Sequence, residues 1–134
     1  MDNEQIETCI AEPLTADPIS VLTAMRKDRD SAARWADLAS ESLRKAKEHA
    51  CDARDASVFD RLHHARASAS MQAMNAATAA KRAAEASASA WSRFVYLMPD
   101  GSHAGLASEY CHAAASDARF AADAAALAIE AINA

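Results

Sequence analysis

Glu109-Tyr-Cys-His112 sets a carboxylate and an imidazole three residues apart, the spacing that brings both groups to one helix face in di-iron bundles. Asp60-Arg-Leu-His63 repeats that arrangement on another stretch. Between them, Glu48-His49-Ala-Cys51 and His63-His64 supply imidazoles and a thiol of the kind Zn²⁺ accepts, though in no recurrent zinc spacing. Ser68, Ser70, Ser87 and Ser89 are the hydroxyls of a would-be nucleophile, but they stand among alanines with no base spaced to serve them. They read as small polar stand-ins whose hydroxyls bond back to a carbonyl four residues earlier. The only glycines, Gly101 and Gly105, flank one turn, so no glycine loop is present to cradle a phosphate.

Whether the two carboxylate–imidazole pairs can meet depends on the elements that carry them. Of 134 residues, 38 are alanine, while 2 are glycine and 3 are proline. Sheets and frequent turns are improbable in such a chain, and long helices are favoured by alanine's propensity. Hydrophobic residues reach 51% but aromatics only 5%, so the core is thin, each alanine burying one methyl worth roughly 0.8 kcal/mol.

Residues 1–16 carry Ile6, Ile10 and Leu14 at helical spacing but meet Pro13 and then Pro18, which predicts a short helix or an arm. Asp17-Pro18 is a helix start, with Asp capping and Pro tolerated at the first helical position. Residues 17–134 then form one domain of three helices, over about 18–53, 57–98 and 103–133. The first break falls in the polar cluster Asp52, Asp55, Ser57, where Ser57-Val-Phe-Asp60 resembles a capping box. A lesser interruption is expected at Lys27–Ser31. The second break is Pro99-Asp100-Gly101-Ser102-His103, with Ser102 as the next cap.

Small residues recur on a 4,3 repeat in each helix: Ala32, Ala36, Ala39, Leu43, Ala46, Ala50, Ala53; then Val58, Leu62, Ala65, Ala69, Ala73, Ala76, Ala80, Ala83, Ser87, Ala90, Phe94, Leu97; then Ala107, Cys111, Ala114, Ala118, Ala121, Ala125, Ala128, Ile132. The expected fold is all-α, an antiparallel up-down bundle with Ala-coil packing. Turns near residues 55 and 101 predict pairing of positions whose numbers sum to about 110 and about 202. His112 then lies opposite residue ~90, about 40 Å of helix from His63, so the two pairs cannot share a metal. No catalytic residue, metal site or cofactor is expected.

The net charge of −5 argues against a nucleic-acid partner. Arg26, Lys27, Arg29, Arg44, Lys45 and Lys47 alternate with Asp28, Asp30, Glu41 and Glu48, the pattern of a solvated, salt-bridged face. Cys9, Cys51 and Cys111 are odd in number and far apart, which suits a reducing cytoplasm. Neither a leader with a basic start nor an apolar run of ~18 residues is present, so no membrane is expected.

Large apolar side chains concentrate in Trp91, Phe94, Val95, Tyr96, Leu97 and Met98, and consecutive positions ~100° apart cannot all face inward. Either Ile6, Ile10, Leu14, Ile19 and Leu22 fold over this end, or it is a binding or self-association patch. In the second case Trp91, Phe94 and Tyr96 are the anchors, Arg93 donates to an acidic partner, and Trp35 with Leu38 extends a core or a second surface. The expected function is therefore binding another protein, in the manner of small phage-encoded inhibitors of host defence such as anti-CRISPR proteins. Tyr110-Cys-His-Ala-Ala-Ala-Ser-Asp-Ala-Arg119 also resembles the alanine- and histidine-rich helices of a family of bacterial immunity proteins, over about a tenth of the chain and mainly in composition. That resemblance implies neutralisation of another protein by binding. The alternatives are a homo-oligomeric structural protein whose seams pair between chains, a homodimer included, and a metal-holding bundle.

Overall fold

A computed structural model describes residues 17–97 and 103–134. The chain is an all-α bundle of three long helices, α1 (Pro18–Asp55), α2 (Phe59–Leu97) and α3 (Ala104–Asn133). None of the described helices is long and apolar enough to cross a membrane. The expected arm at residues 1–16 and the cap at Ser102 lie outside the described residues.

α1 begins as its sequence predicts, with Asp17 at the N-cap position and Pro18 in the first turn. The Asp17 carbonyl accepts the Val21 N–H at 3.0 Å, while its carboxylate takes the Ser20 hydroxyl at 3.5 Å instead of a backbone amide. The interruption expected at Lys27–Ser31 does not occur: α1 runs through it without a break. Neither glycine nor proline is present there to stop it, and its two aspartates are held in ion pairs, Asp30 with Arg29 and Asp28 with Arg93.

The capping box at Ser57 is also corrected. α2 starts at Phe59, and it is the Val58 carbonyl that accepts the first helical bond, from Leu62 N–H at 3.1 Å. This start stacks Phe59 on His63 at 6.1 Å and places Asp60 in the first turn, where a carboxylate favours the positive end of the helix dipole.

The seams pack in four layers. Ala46, Ala73, Ala76, Ala125 and Ala128 form the layer nearest the α1–α2 turn. Ala36, Ala39, Ala79, Ala83, Ala121 and Ala124 form the next, and Ala32, Ala86 and Ala114 follow. The last contains Val21, Leu22, Met25, Ala90, Ala107 and Cys111. Numbers thus fall along α2 as they rise along α1 and α3. The α2–α3 register matches the sum near 202, whereas Ala36 shares a layer with Ala83, about two turns further along α2 than a sum of 110 requires. Roughly half of that difference arises because the break is centred on residue 57; the rest is a relative stagger of about one turn.

Two other departures have one cause. Ala79, Ala86 and Ala124 are buried although they fall outside the 4,3 seams, while Ala80 and Ala118 are only partly covered. Each helix faces two neighbours, so it buries an arc wider than a two-stranded seam, and a 3.6-residue turn drifts against a strict heptad. Val58, expected in the seam, is 54% exposed because it precedes the helix.

Among the described residues, 19 of the 23 buried apolar side chains are alanine, and the other four, Val21, Leu22, Met25 and Cys111, all belong to one layer. The apolar stabilisation is therefore concentrated at one end. Met25→Ala is expected to cost about 2–5 kcal/mol. Ala83→Leu should cost about 1–3 kcal/mol by forcing the axes apart, while Ala122→Leu on an exposed face should stay within about 0.5 kcal/mol. Urea unfolding midpoints measure all three.

Candidate functional site

The end of the bundle where α1 starts, α2 finishes and α3 starts is the one built from large side chains. Trp91, Phe94, Leu97 and Tyr110, each partly buried, pack on the Val21, Leu22, Met25 and Cys111 layer. Trp91 meets Phe94 edge-on at 5.9 Å and the His112 ring at 5.2 Å and 90°, geometries that suit the charge distribution of aromatic faces and edges. One carboxylate–imidazole pair is thus placed: His112 serves as an aromatic neighbour of Trp91, and Glu109 of the same pair is exposed.

Two charged links brace this end. Arg93 Nε donates to Asp28 Oδ2 at 3.1 Å across α1 and α2, and the Asp28 side chain is only 16% exposed. Arg29 lies over the Tyr110 ring at 4.9 Å across α1 and α3, the geometry of a cation–π contact, while also holding Asp30 at 2.7 Å. Arg93 is therefore engaged within the molecule through its Nε, while its side chain stays 39% exposed. Lower on the same α1–α3 flank, burial, and then Asp37, push the Asp117 carboxyl above its ordinary range against the opposing pull of Arg29.

Of the five residues expected at a partner surface, the three anchors and Arg93 come together here. Trp91 and Phe94 are partly buried, Arg93 is paired, and Tyr96 stands 66% exposed. Trp35 is elsewhere: it packs on the alanine layer containing Ala83, about 12 Å before Trp91 along α2 by helical rise. Val95 and Ile19, 61% and 60% exposed, belong with Tyr96 and were not singled out. Consecutive apolar residues at 94–97 hinted at Val95, but nothing in the pattern separated Ile19 from its buried neighbours.

At the opposite end an open groove of about 680 Å³ is lined by His49, Asp52, Asp55, Asp60, Arg61 and His64. Cys51 and His63 face other partners, the thiol donating to Asp55 at 3.8 Å and the imidazole stacking on Phe59. Among the described residues no three His, Cys, Asp or Glu side chains are grouped so as to hold a metal ion. The solvated face is arranged as its charges suggest: Arg44 bonds Glu41 and Glu48, both at 2.6 Å, and holds the Glu41 carboxyl below its ordinary value.

Compared with protein-family models, with curated proteins and with solved structures, the chain has no significant match.

Two consequences of this geometry can be measured. Cys111 is fully buried, and desolvation raises its thiol pKa, with Asp28 adding to the effect. A thiol reagent should therefore modify exposed Cys51 at once and Cys111 only as fast as the bundle opens. Asp117 binds its proton more tightly folded than unfolded, so its contribution favours the native state at low pH and is lost as pH rises above 3.8 through the raised value. Asp117→Asn should accordingly unfold at higher urea than wild type at neutral pH, with the difference shrinking in acid.

Proposed function

We propose that this chain is a non-enzymatic protein-interaction module that binds and occludes a partner protein through the aromatic end of its bundle. The observation that carries this reading is the exposure of Val95 and Tyr96 directly above a braced cluster of aromatic side chains. Large apolar side chains held on a rigid element anchor interfaces at low entropic cost, and Tyr supplies both contact area and a hydroxyl. An antagonist of this kind needs only a shaped surface, which fits the inhibitor class expected from composition, including anti-defence, anti-CRISPR-like or immunity-protein-like roles. The setting consistent with that class is the cytoplasm of a bacterial cell.

Affinity purification from the native host tests the proposal. A specific partner should co-purify with wild type and be lost with Val95→Asp/Tyr96→Asp, whose thermal midpoint should be unchanged because both side chains are exposed. Trp91→Ala/Phe94→Ala should lose the partner and also melt earlier. Equal retention by wild type and Val95→Asp/Tyr96→Asp would remove the aromatic end from the interface.

A second reading, homo-oligomerisation, draws on a different surface. Between Arg66 and Lys81 no residue of α2 is charged, and Ala67, Ser70, Met71, Met74 and Ala77 are exposed there. Uncharged side chains three and four residues apart, two of them methionines, suit pairing with another helix of the same kind. Light scattering at micromolar concentration separates the readings: a dimer that dissociates on Met74→Glu supports pairing through α2, and a monomer removes it.

A further inference from the structure

Three of the four large apolar side chains exposed on α3, Leu106, Phe120 and Leu127, share one helical phase. With Ala113 they recur every seven residues over about 30 Å of helix, whereas the fourth, Ile129, falls on the opposite side. The rows beside this stripe locate it. Ala107, Ala114, Ala121 and Ala128, all fully buried, each follow a stripe position by one residue. Tyr110, Asp117 and Ala124 each follow one by four, and this row faces α1: Tyr110 lies under Arg29, Asp117 is opposed by the Asp37 carboxylate, and Ala124 packs with Ala36 and Ala39. The stripe therefore runs about 40° outside that row, along the α3 lip of the groove between α1 and α3.

The edges of the stripe are acidic. Glu109, Asp123 and Glu130, all exposed, each follow a stripe position by three residues, and Asp117 and Asp37 stand on the α1 side. One heptad beyond Asp37, Arg44 is held between Glu41 and Glu48. Arg26 and Lys47 are the exposed basic exceptions on this flank of α1. Arg119, the one Lys or Arg of α3, lies about 100° round from Phe120.

We propose that the α1–α3 groove is a docking surface for a basic amphipathic helix of a partner protein. Its apolar residues, at seven-residue spacing, pack on Phe120 and Leu127, and its Lys or Arg side chains lie against Glu109, Asp117, Asp123 and Glu130. A fourth helix laid there turns the three-helix bundle into a four-helix one, the arrangement that covers a lip of this kind. Charge selects the occupant. Two α3 stripes laid face to face would set Glu109, Asp123, Asp117 and Glu130 against their own kind, which opposes a second copy, and the same acidic edge repels an anionic membrane surface. Asp117 is the informative residue, because it is partly buried and faces Asp37 at a cost to the fold. A cation set between the two carboxylates offsets that cost, and side chains kept against stability are characteristic of functional surfaces. Val95 and Tyr96 take no part in this surface, so the inference does not rest on the function proposed above.

The test titrates the isotope-enriched full-length chain with synthetic peptides of about three heptads. One carries Leu at a and d with Lys at e and g, a second has Glu in place of Lys, and a third scrambles the Lys peptide so that no face is apolar. The Lys peptide should bind saturably and more weakly as salt is added, shifting amides between residues 106 and 131 and around Asp37. The Glu and scrambled peptides should not bind. Phe120→Ser/Leu127→Ser and, separately, Asp123→Lys/Glu130→Lys should each weaken binding about tenfold or more. All four side chains are exposed, so both thermal midpoints should stay near wild type. The proposal is overturned if the Lys peptide does not bind, if a control peptide binds as well, if either double variant binds like wild type, or if the shifts centre on Val95 and Tyr96. Self-association that disappears with Phe120→Ser/Leu127→Ser would also overturn it, since the occupant would then be a second copy. Val95→Asp/Tyr96→Asp should bind the Lys peptide like wild type, so this surface and the aromatic end can fail independently.

Discussion

The bundle depends on how close alanine lets three helix axes come. With methyl groups on both sides of each seam, the axes can approach near the lower limit of ordinary helix packing, and stability then comes from many short backbone-to-backbone approaches and from helix propensity. A methyl offers little shape by which one layer could be told from the next. The layer of Val21, Leu22, Met25 and Cys111 is different, because its side chains have volume and shape. It supplies a unique fit at one level along the bundle and so helps to set the register of the alanine layers beneath it.

The charged groups are distributed to match. Along the outer faces Arg44 with Glu41 and Glu48, and Arg82 with Glu85, form short-range pairs within one helix, which support that helix but say nothing about its neighbours. Among the described residues, the charged contacts that cross between helices, Arg93 with Asp28 and Arg29 with Tyr110, both lie at the aromatic end. Side-chain specificity and large apolar volume therefore coincide in space. Elsewhere among the described residues the buried apolar side chains are alanines, flanked by the partly buried Trp35, Leu43 and Ile132.

Most of this was legible in the sequence, for reasons that can be assigned. Helix content followed from the scarcity of glycine and proline, and nearly all the buried alanines followed from the 4,3 repeat, because burial on a helix is a matter of angle. The α2–α3 register was readable because Pro99 to His103 is a sharp, well-marked break. The α1–α2 register was not, since Asp52 to Ser57 offers several polar residues able to end a helix, and a uniform alanine seam accepts a slide of one or two turns without creating a clash. At the candidate site, the aromatic crowding from Trp91 to Leu97 was visible, while the division of labour within it was not. That Trp91 and Phe94 brace the core, Val95 and Tyr96 face outward and Arg93 is occupied by Asp28 depends on helix phase and on a partner 65 residues away. Trp35 was placed beside the first seam by its spacing, and its level along the bundle, against the layer containing Ala83, depended on the α1–α2 register.

The placement of the large side chains also orders the molecule in time. At the aromatic end, the α2–α3 contacts of Trp91 and Ala90 with Ala107 and Cys111 close across a short connection, whereas Val21, Leu22 and Met25 reach the same cluster from the far arm of the α1–α2 hairpin. Closing a longer loop costs more entropy, and contacts between distant segments form slowly. At this end, therefore, the α2–α3 contacts are the more local ones, and those of the first turns of α1 close the longer loop. The residues of α1 that close this longer loop are also the ones that carry the charged links, Asp28 to Arg93 and Arg29 to Tyr110, so the contacts hardest to bring together are the most specifically held.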